Sequence, residues 1–372
     1  MTASTNPSSP ANPSIQPTYD VTRSYDENYD DGPFWSGAFP QPPAGKPQYR
    51  FLDFPVYSPV GVPAGPLLNA RWIETYARLG FDLPVYKTVR SLERACHPTP
   101  NCLFLKDVGT LTPERLHERL VATPESPAAV ADISITNSFG MPSKQPETWQ
   151  ADMERARAAM GPGQVFIASC VGTPGTGTGI AGLADDFART ATMAKEAGAQ
   201  VVEINLSCPN VTSGEGSIYT DPEASARIVR ETARALGDTP LMVKVGFYGR
   251  PEKLAGVVRA VAPHVRGVAG INTLSFEVVD ERGQQALPGE GRLRSGVCGA
   301  AIRECGLSQA RDLVALKRRE KYDFATVGVG GIMTPADIDA YLATGVDAVM
   351  SATGAMWDPS LAHAWRTLHN IN

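Results

Sequence analysis

The stretch ATVGVGGIMTPADIDAYLATGVDAVMSATGA, residues 325–355, contains a complete strand–helix–strand unit. ATVGVGG (325–331) is a short apolar run ending in glycines, the pattern of a buried strand meeting a tight turn. In TPADIDAYLATG, Thr334 is placed to cap a helix, Pro335 takes its first position and Gly345 closes it. DAVMSA (347–352) then reads as a second strand. Such a unit suits either a doubly wound sheet or a closed parallel barrel, and the number of repeats separates the two.

The alternation extends back to Tyr49. Strands are expected at VGVPAGPLL (60–68), LPVYKTV (83–89), VFIASCV (165–171), VVEINLS (201–207), LMVKVG (241–246) and VAGINTL (268–274), besides the two above. Amphipathic stretches such as DDFARTATMAKEAG and PEASARIVRETARALG lie between them. Eight units in this length, with no early G-x-G-x-x-G turn, predict a (β/α)8 TIM barrel over residues 46–372. Two stretches, 91–146 and 275–300, break the alternation and are expected to be inserted loops covering the substrate. Residues 1–45, rich in Pro, Ser, Asn, Asp and Gly, are expected to be a flexible arm, docking in part through the aromatics of GPFWSGAF.

Composition excludes several classes. An apolar content of 42%, a charged content of 20% and a net charge of −5 suit a globular enzyme and not a nucleic-acid-binding surface. No apolar run is long enough to span a bilayer, and the start has neither the basic end nor the apolar stretch of a secretory signal. The six cysteines include no C-x-x-C pair, which argues against bound zinc or iron–sulfur and for a reducing cytoplasm.

In a parallel barrel the carboxyl ends of the strands converge on one mouth. Here those ends carry Lys87 and Thr88, then Asn205, Cys208 and Asn210, Lys244, Asn272 and Thr273, Gly330 and Gly331, and Ala352 and Thr353. ITNSFGMP (135–142) adds Asn137 and a glycine-bearing turn. GVGGIMTPADI is a glycine turn entering a capped helix; with SATGA beside it, it reads as a phosphate cradle, although a turn needing glycine for geometry alone has the same letters. Lys87 and Lys244 interrupt apolar strands, so each needs a partner: a structural ion pair, an anionic ligand, or Schiff-base chemistry. The asparagines exchange no protons and read as recognition groups for a planar ligand with alternating donors and acceptors. Cys208 is the one plausible proton acceptor among them, since no histidine falls in these motifs.

In chain order, KT at 87–88, NSFGMP, INLSCPN, INT at 271–273 and GVGGI resemble the dihydroorotate dehydrogenase family over roughly residues 50–360. Cys208 is similar to its soluble class 1 branch. The resemblance implies a (β/α)8 barrel that binds FMN and oxidises dihydroorotate to orotate in pyrimidine synthesis, with Cys208 as general base. It implies that Lys87, Asn137, Asn205, Asn210, Asn272 and Thr273 hold the substrate, with Phe139, Gly140 and Met141 presenting backbone N–H groups to its carboxylate. FMN would be lined by Ala64, Gly65, Lys87, Thr88, Asn137, Asn205, Lys244, Asn272 and Thr273, and its phosphate held by Gly299, Gly330, Gly331, Ala352 and Thr353. A cytoplasmic homodimer is the family's habit. The electron acceptor stays open among fumarate, a quinone, and NAD through a partner subunit. Competing expectations are a flavin barrel acting on another cyclic amide such as a dihydropyrimidine, a Schiff-base lyase using Lys244, and a non-catalytic phosphate-ligand-binding barrel.

Overall fold

A computed structural model describes residues 17–175, 177–207 and 218–371. All eight expected strands form, and they close in chain order into one parallel barrel. They are β1 (Val60–Val62), β2 (Leu83–Val89), β3 (Ile167–Cys170), β4 (Val201–Asn205), β5 (Leu241–Lys244), β6 (Gly267–Gly270), β7 (Ala325–Val329) and β8 (Ala348–Met350). The pairing of Val349 with Val60 seals the ring. The floor of the barrel is a plug of Val85, Ile167, Val201, Met242, Val327 and Met350, all buried. Burying side chains of this kind contributes about 1.5–3 kcal/mol each, so the barrel is filled as a core and not left as a pore.

Strand β1 is shorter than expected. Pro63 and Pro66 bracket Gly65, whose φ of +140° leaves the extended region, so 63–68 bends out of the ladder and over the barrel mouth. The helices follow the sequence closely. Pro222–Leu236 opens on Asp221, whose carboxylate accepts from the N–H groups of Glu223 and Ala224. Pro335–Leu342 opens on Thr334, in a reciprocal cap with Asp337.

The two insertions are not simple loops. The first supplies the strands Cys102–Leu105, Arg119–Thr123 and Ser134–Asn137, and the second supplies Leu274–Val279 and Arg294–Gly299. These five close on one another around Leu120, Phe276, Val278 and Val297, forming a second, mostly antiparallel barrel over the mouth of the first. The alternation in LSFEVV explains why: Leu274, Phe276 and Val278 turn inward while Ser275 and Glu277 turn outward.

The N-terminal stretch from Pro17 onward lies against the barrel. Ser24 and Glu27 form a capping box for the helix Tyr25–Asp31. Thr18 bonds the hydroxyl of Tyr76 at 2.6 Å, and its N–H donates to the Met356 carbonyl. Arg71 holds the carbonyl of Tyr29 at 2.7 Å. Tyr19 and Tyr25 are consequently buried.

Candidate functional site

One cavity opens between the eight-stranded barrel and the cap above it. It collects residues from both barrels and from the N-terminal stretch. Lys87 and Thr88 reach it from β2, Asn205 from the end of β4 and Lys244 from the end of β5. Asn272 and Thr273 follow β6, Gly330 and Gly331 follow β7, and Ala352 and Thr353 follow β8. Ala64 and Gly65 come from the bend after β1; the cap contributes Asn137, Phe139, Gly140, Met141 and Gly299. Every described residue marked from the sequence therefore faces this one space. Cys208 and Asn210 lie outside the described residues.

The carboxamides are locally fixed. Asn205 Oδ1 accepts from the Ser207 N–H at 3.0 Å and from Asn272 Nδ2 at 3.4 Å. Asn272 also donates to the Ser207 carbonyl, and its Oδ1 accepts from the Thr273 N–H at 2.8 Å. Asn205 Nδ2 is left with the Met141 thioether, 3.8 Å away and a poor acceptor, so it presents a donor to the cavity. Asn137 Nδ2 lies 3.4 Å from the Cys298 sulfur. Burial, offset by Thr353 and Asn137, raises that thiol to about 11, so Cys298 is a neutral wall and not a base.

The turn at Phe139–Gly140–Met141 is set by its surroundings. Gly140 has φ +76°, and a Cβ there would meet the His97 ring at 2.4 Å, so only glycine fits. Arg90, fully buried, donates to the Met141 carbonyl at 3.2 Å. Arg292 is also buried and ties four carbonyls together: Pro98 at 2.8 Å, Ser138 at 2.6 Å, Pro100 at 3.4 Å, and Pro288. One guanidinium thereby fastens the two insertions to each other beside Asn137.

At the start of the helix Pro335–Leu342 several donors are already used: the Asp337 carboxylate takes the N–H groups of Met333 and Thr334 at 3.0 and 2.9 Å and pairs with Arg303 at 2.6 Å, and the Asp337 N–H donates to Thr334 Oγ1 at 3.3 Å. Gly331 is also required for packing: at φ +69° its Cβ would stand 2.5 Å from Arg303 Cα. What faces the cavity is the Gly330–Gly331 turn itself together with Thr353, at the head of the short helix Thr353–Trp357, whose Ala355 N–H already donates to the Ser351 hydroxyl at 3.1 Å.

Among the lining residues that the sequence reading did not mark, Glu203, Tyr19 and Tyr25 bear most on the chemistry. Glu203 is fully buried on β4, and neither carboxylate oxygen has a hydrogen-bond partner. Burial raises its pKa, while Lys244 and the Ser169 hydroxyl act against that rise. Tyr19 and Tyr25 form the wall on the N-terminal side, their rings edge-on to Phe139 at 6.0 and 6.2 Å. The placement of Glu203 two residues before Asn205 was a usable signal, since alternate residues of a strand share a face. Nothing local marked the tyrosines. Among the described residues no cluster of His, Cys, Asp and Glu could hold a metal ion, and no helix is long and apolar enough to cross a membrane.

A family model described as dihydroorotate dehydrogenase matches residues 118–364. A dihydroorotate dehydrogenase of Dictyostelium discoideum is 38% identical over 372 residues, covering 97% of this chain and 98% of the relative. The chain belongs to the dihydroorotate dehydrogenase family. Within that family, dihydroorotate dehydrogenase A (fumarate) of Limosilactobacillus reuteri (strain DSM 20016) is 30% identical over 169 residues, 45% of this chain and 51% of that protein. The crystal structure of the Eimeria tenella dihydroorotate dehydrogenase in complex with ferulenol superposes with a TM-score of 0.66 at 16% identity, over 86% of this chain and 83% of that one, and shares the fold. The dihydroorotate dehydrogenase match begins after the N-terminal stretch, β1 and β2, so Tyr19, Tyr25 and Lys87 lie outside it.

Proposed function

We infer that the protein oxidises dihydroorotate to orotate in pyrimidine synthesis, with FMN as the cofactor of this cavity. The observation that carries the reading is the convergence of Asn137, Asn205 and Asn272 on one space with two buried lysines. A flat cyclic amide offers the alternating donors and acceptors that such carboxamides recognise, and a carboxylate matches the backbone donors of the Phe139–Met141 turn.

The residues present also fit the cofactor. Thr273 Oγ1 and the Glu203 oxygens are buried polar atoms without partners that border the cavity, and the Gly330–Gly331 turn with Thr353 is shaped to take a phosphate. Ala64, Gly65, Thr88 and Thr273 would line the flavin ring, Lys244 its electron-rich edge, and Gly299, Gly330, Gly331, Ala352 and Thr353 its phosphate. Bound FMN supplies the acceptor for the hydride lost from one carbon of the substrate ring. The protein's own task is to orient the ring and to remove the proton from the neighbouring carbon. Asn137, Asn205, Asn210 and Asn272 orient it; Lys87 steadies negative charge beside it. Cys208, as thiolate, accepts the proton. The same reading carries a cytoplasmic homodimer, which sedimentation of the purified protein would check.

The test is anaerobic mixing with dihydroorotate, followed in the flavin absorbance band. The wild type should arrive yellow and bleach rapidly. Cys208→Ala should keep flavin and orotate yet bleach about 10²–10⁴-fold more slowly, the usual share of a general base. A colourless wild type removes FMN from the reading, and an alanine variant that bleaches at the wild-type rate removes Cys208 as the base. Reoxidation with fumarate, a quinone and NAD in separate mixes then identifies the acceptor.

A further inference from the structure

Charge inside the barrel is sparse. Among the residues of the eight strands only Lys87, Glu203 and Lys244 carry it, two ammonium groups against one carboxylate, for a net +1. Strands β1, β3, β6, β7 and β8 bring no acidic or basic side chain; β3 brings Ser169 and the buried Cys170 thiol. Glu203 pairs across the ladder with Ser169 on β3 and Met242 on β5, one layer below Asn205 and Lys244. Its carboxylate oxygens have no hydrogen-bond partner within the usual geometry; the Ser169 hydroxyl on the neighbouring strand, 3.0 Å from Thr88 Oγ1, still favours the charged form of Glu203. A buried unpaired carboxylate is expensive to keep and persists where its charge has a use. The group that can use it is Lys244, whose ammonium burial would otherwise discharge and which Glu203 alone is found to favour.

We propose that Glu203 is a positioning residue for this reaction: it keeps Lys244 protonated and aimed at the cofactor, and so sets how readily the flavin accepts electrons. The proposal rests on the reading that the cavity holds FMN. A positive charge beside the flavin favours its reduced, more negative form and raises its potential. Glu203 therefore acts in two opposed ways. Its own negative charge lowers the potential slightly, and by retaining the proton on Lys244 it raises the potential more.

The experiment measures the flavin midpoint potential against pH in the flavin-bearing wild type, Glu203→Gln, Lys244→Met and the double variant, with FMN and orotate dissociation constants alongside. Glu203→Gln should match or exceed the wild type in acid, where Lys244 stays charged. It should then fall below it as pH rises and Lys244 loses its proton, by about tenfold in the two-electron equilibrium, or roughly 30 mV. In the Lys244→Met background the same substitution should lower nothing. Glu203→Asp, which keeps the charge, should return the potential toward the wild type, and it carries the test if the glutamine variant does not fold. A Glu203→Gln potential at or above wild type at every pH overturns the proposal, as does a fall that survives in the Lys244→Met background. A wild type without flavin would instead sink the reading beneath it.

Discussion

The lower barrel and the cap above it each supply part of one cavity, but they are built from different kinds of sequence. The strands of the lower barrel are buried on both faces, so LPVYKTV and VVEIN read as near-continuous apolar runs, and a polar letter at their ends stands out. Two strands of the cap, Arg119–Thr123 and Leu274–Val279, are buried mainly on one face, and their alternating letters resemble ordinary surface loops. Packing holds the lower barrel together; the cap has an apolar core of its own around Phe276 and Val297 and adds polar knots, such as Arg292, that span long sequence separations. The comparison teaches that the barrel fixes where chemistry can happen, while fastening decides whether the cap's share of the site stays in place.

The sharpest way to break this comparison is Arg292→Leu. Its guanidinium joins carbonyls from 98–100, Ser138 and Pro288, and a leucine leaves all of them without their charged donor. We expect a loss of about 2–4 kcal/mol from the cap and a fall in orotate affinity of a hundredfold or more. Flavin binding and the main thermal transition should persist, because the barrel core does not include Arg292. Calorimetry with parallel orotate titration reads both. If the flavin is lost together with the substrate, cap and barrel are one cooperative unit.

Asn205→Ala and Asn272→Ala test the barrel side. Each removes a fixed carboxamide and should weaken orotate by about 1–3 kcal/mol, roughly ten- to hundredfold, with flavin absorbance intact. Asn272→Ala should be the more severe for flavin reduction. Its amide holds the Ser207 carbonyl, the residue before the proposed base Cys208. Equal reduction rates in the two variants would remove that distinction.

These contrasts also explain what was legible. Eight strands, their order and the lining positions at the strand ends followed from apolar runs, caps and strand ends, because the barrel converts chain order directly into spatial order, whereas positions such as Ala64, Gly65 and Gly299 came only with the family resemblance. The cap was missed as a sheet because its pairings join residues such as Asn137 and Gly296, far apart in the chain and linked by no local signal. Glu203 was passed over as one acidic letter in an apolar run. Asp337 was passed over as a donor sink because a capping box and an anion site share the same letters. The tyrosines of the N-terminal stretch were hidden by composition, since a Pro- and Asp-rich segment offers no periodicity even where Thr18 and Asn28 anchor it.

The smallest effects are expected at that N-terminal wall, where two neighbours should respond oppositely. Tyr76 donates its hydroxyl to the Ala355 carbonyl at 2.9 Å, so at 2.6 Å it must accept from Thr18. Thr18→Ala removes a satisfied, buried hydrogen bond and should cost about 1 kcal/mol. The hydroxyl of Tyr19 is equally buried but has no partner, and burial pushes its pKa far above the ordinary phenol range, so it stays neutral at any working pH. Tyr19→Phe keeps the ring against Phe139 and Trp72 while deleting a group that lost its water and gained nothing in return. The variant should be unchanged or up to about 1 kcal/mol more stable in the flavin-free protein. The same melt repeated with orotate and flavin bound supplies the contrast. Stabilisation that vanishes only in the loaded protein would mean that the hydroxyl finds its partner on a ligand, making the N-terminal wall a third contributor to recognition beside the barrel and the cap. A loss in the flavin-free protein would contradict the reading of Tyr19 as an unpaired group.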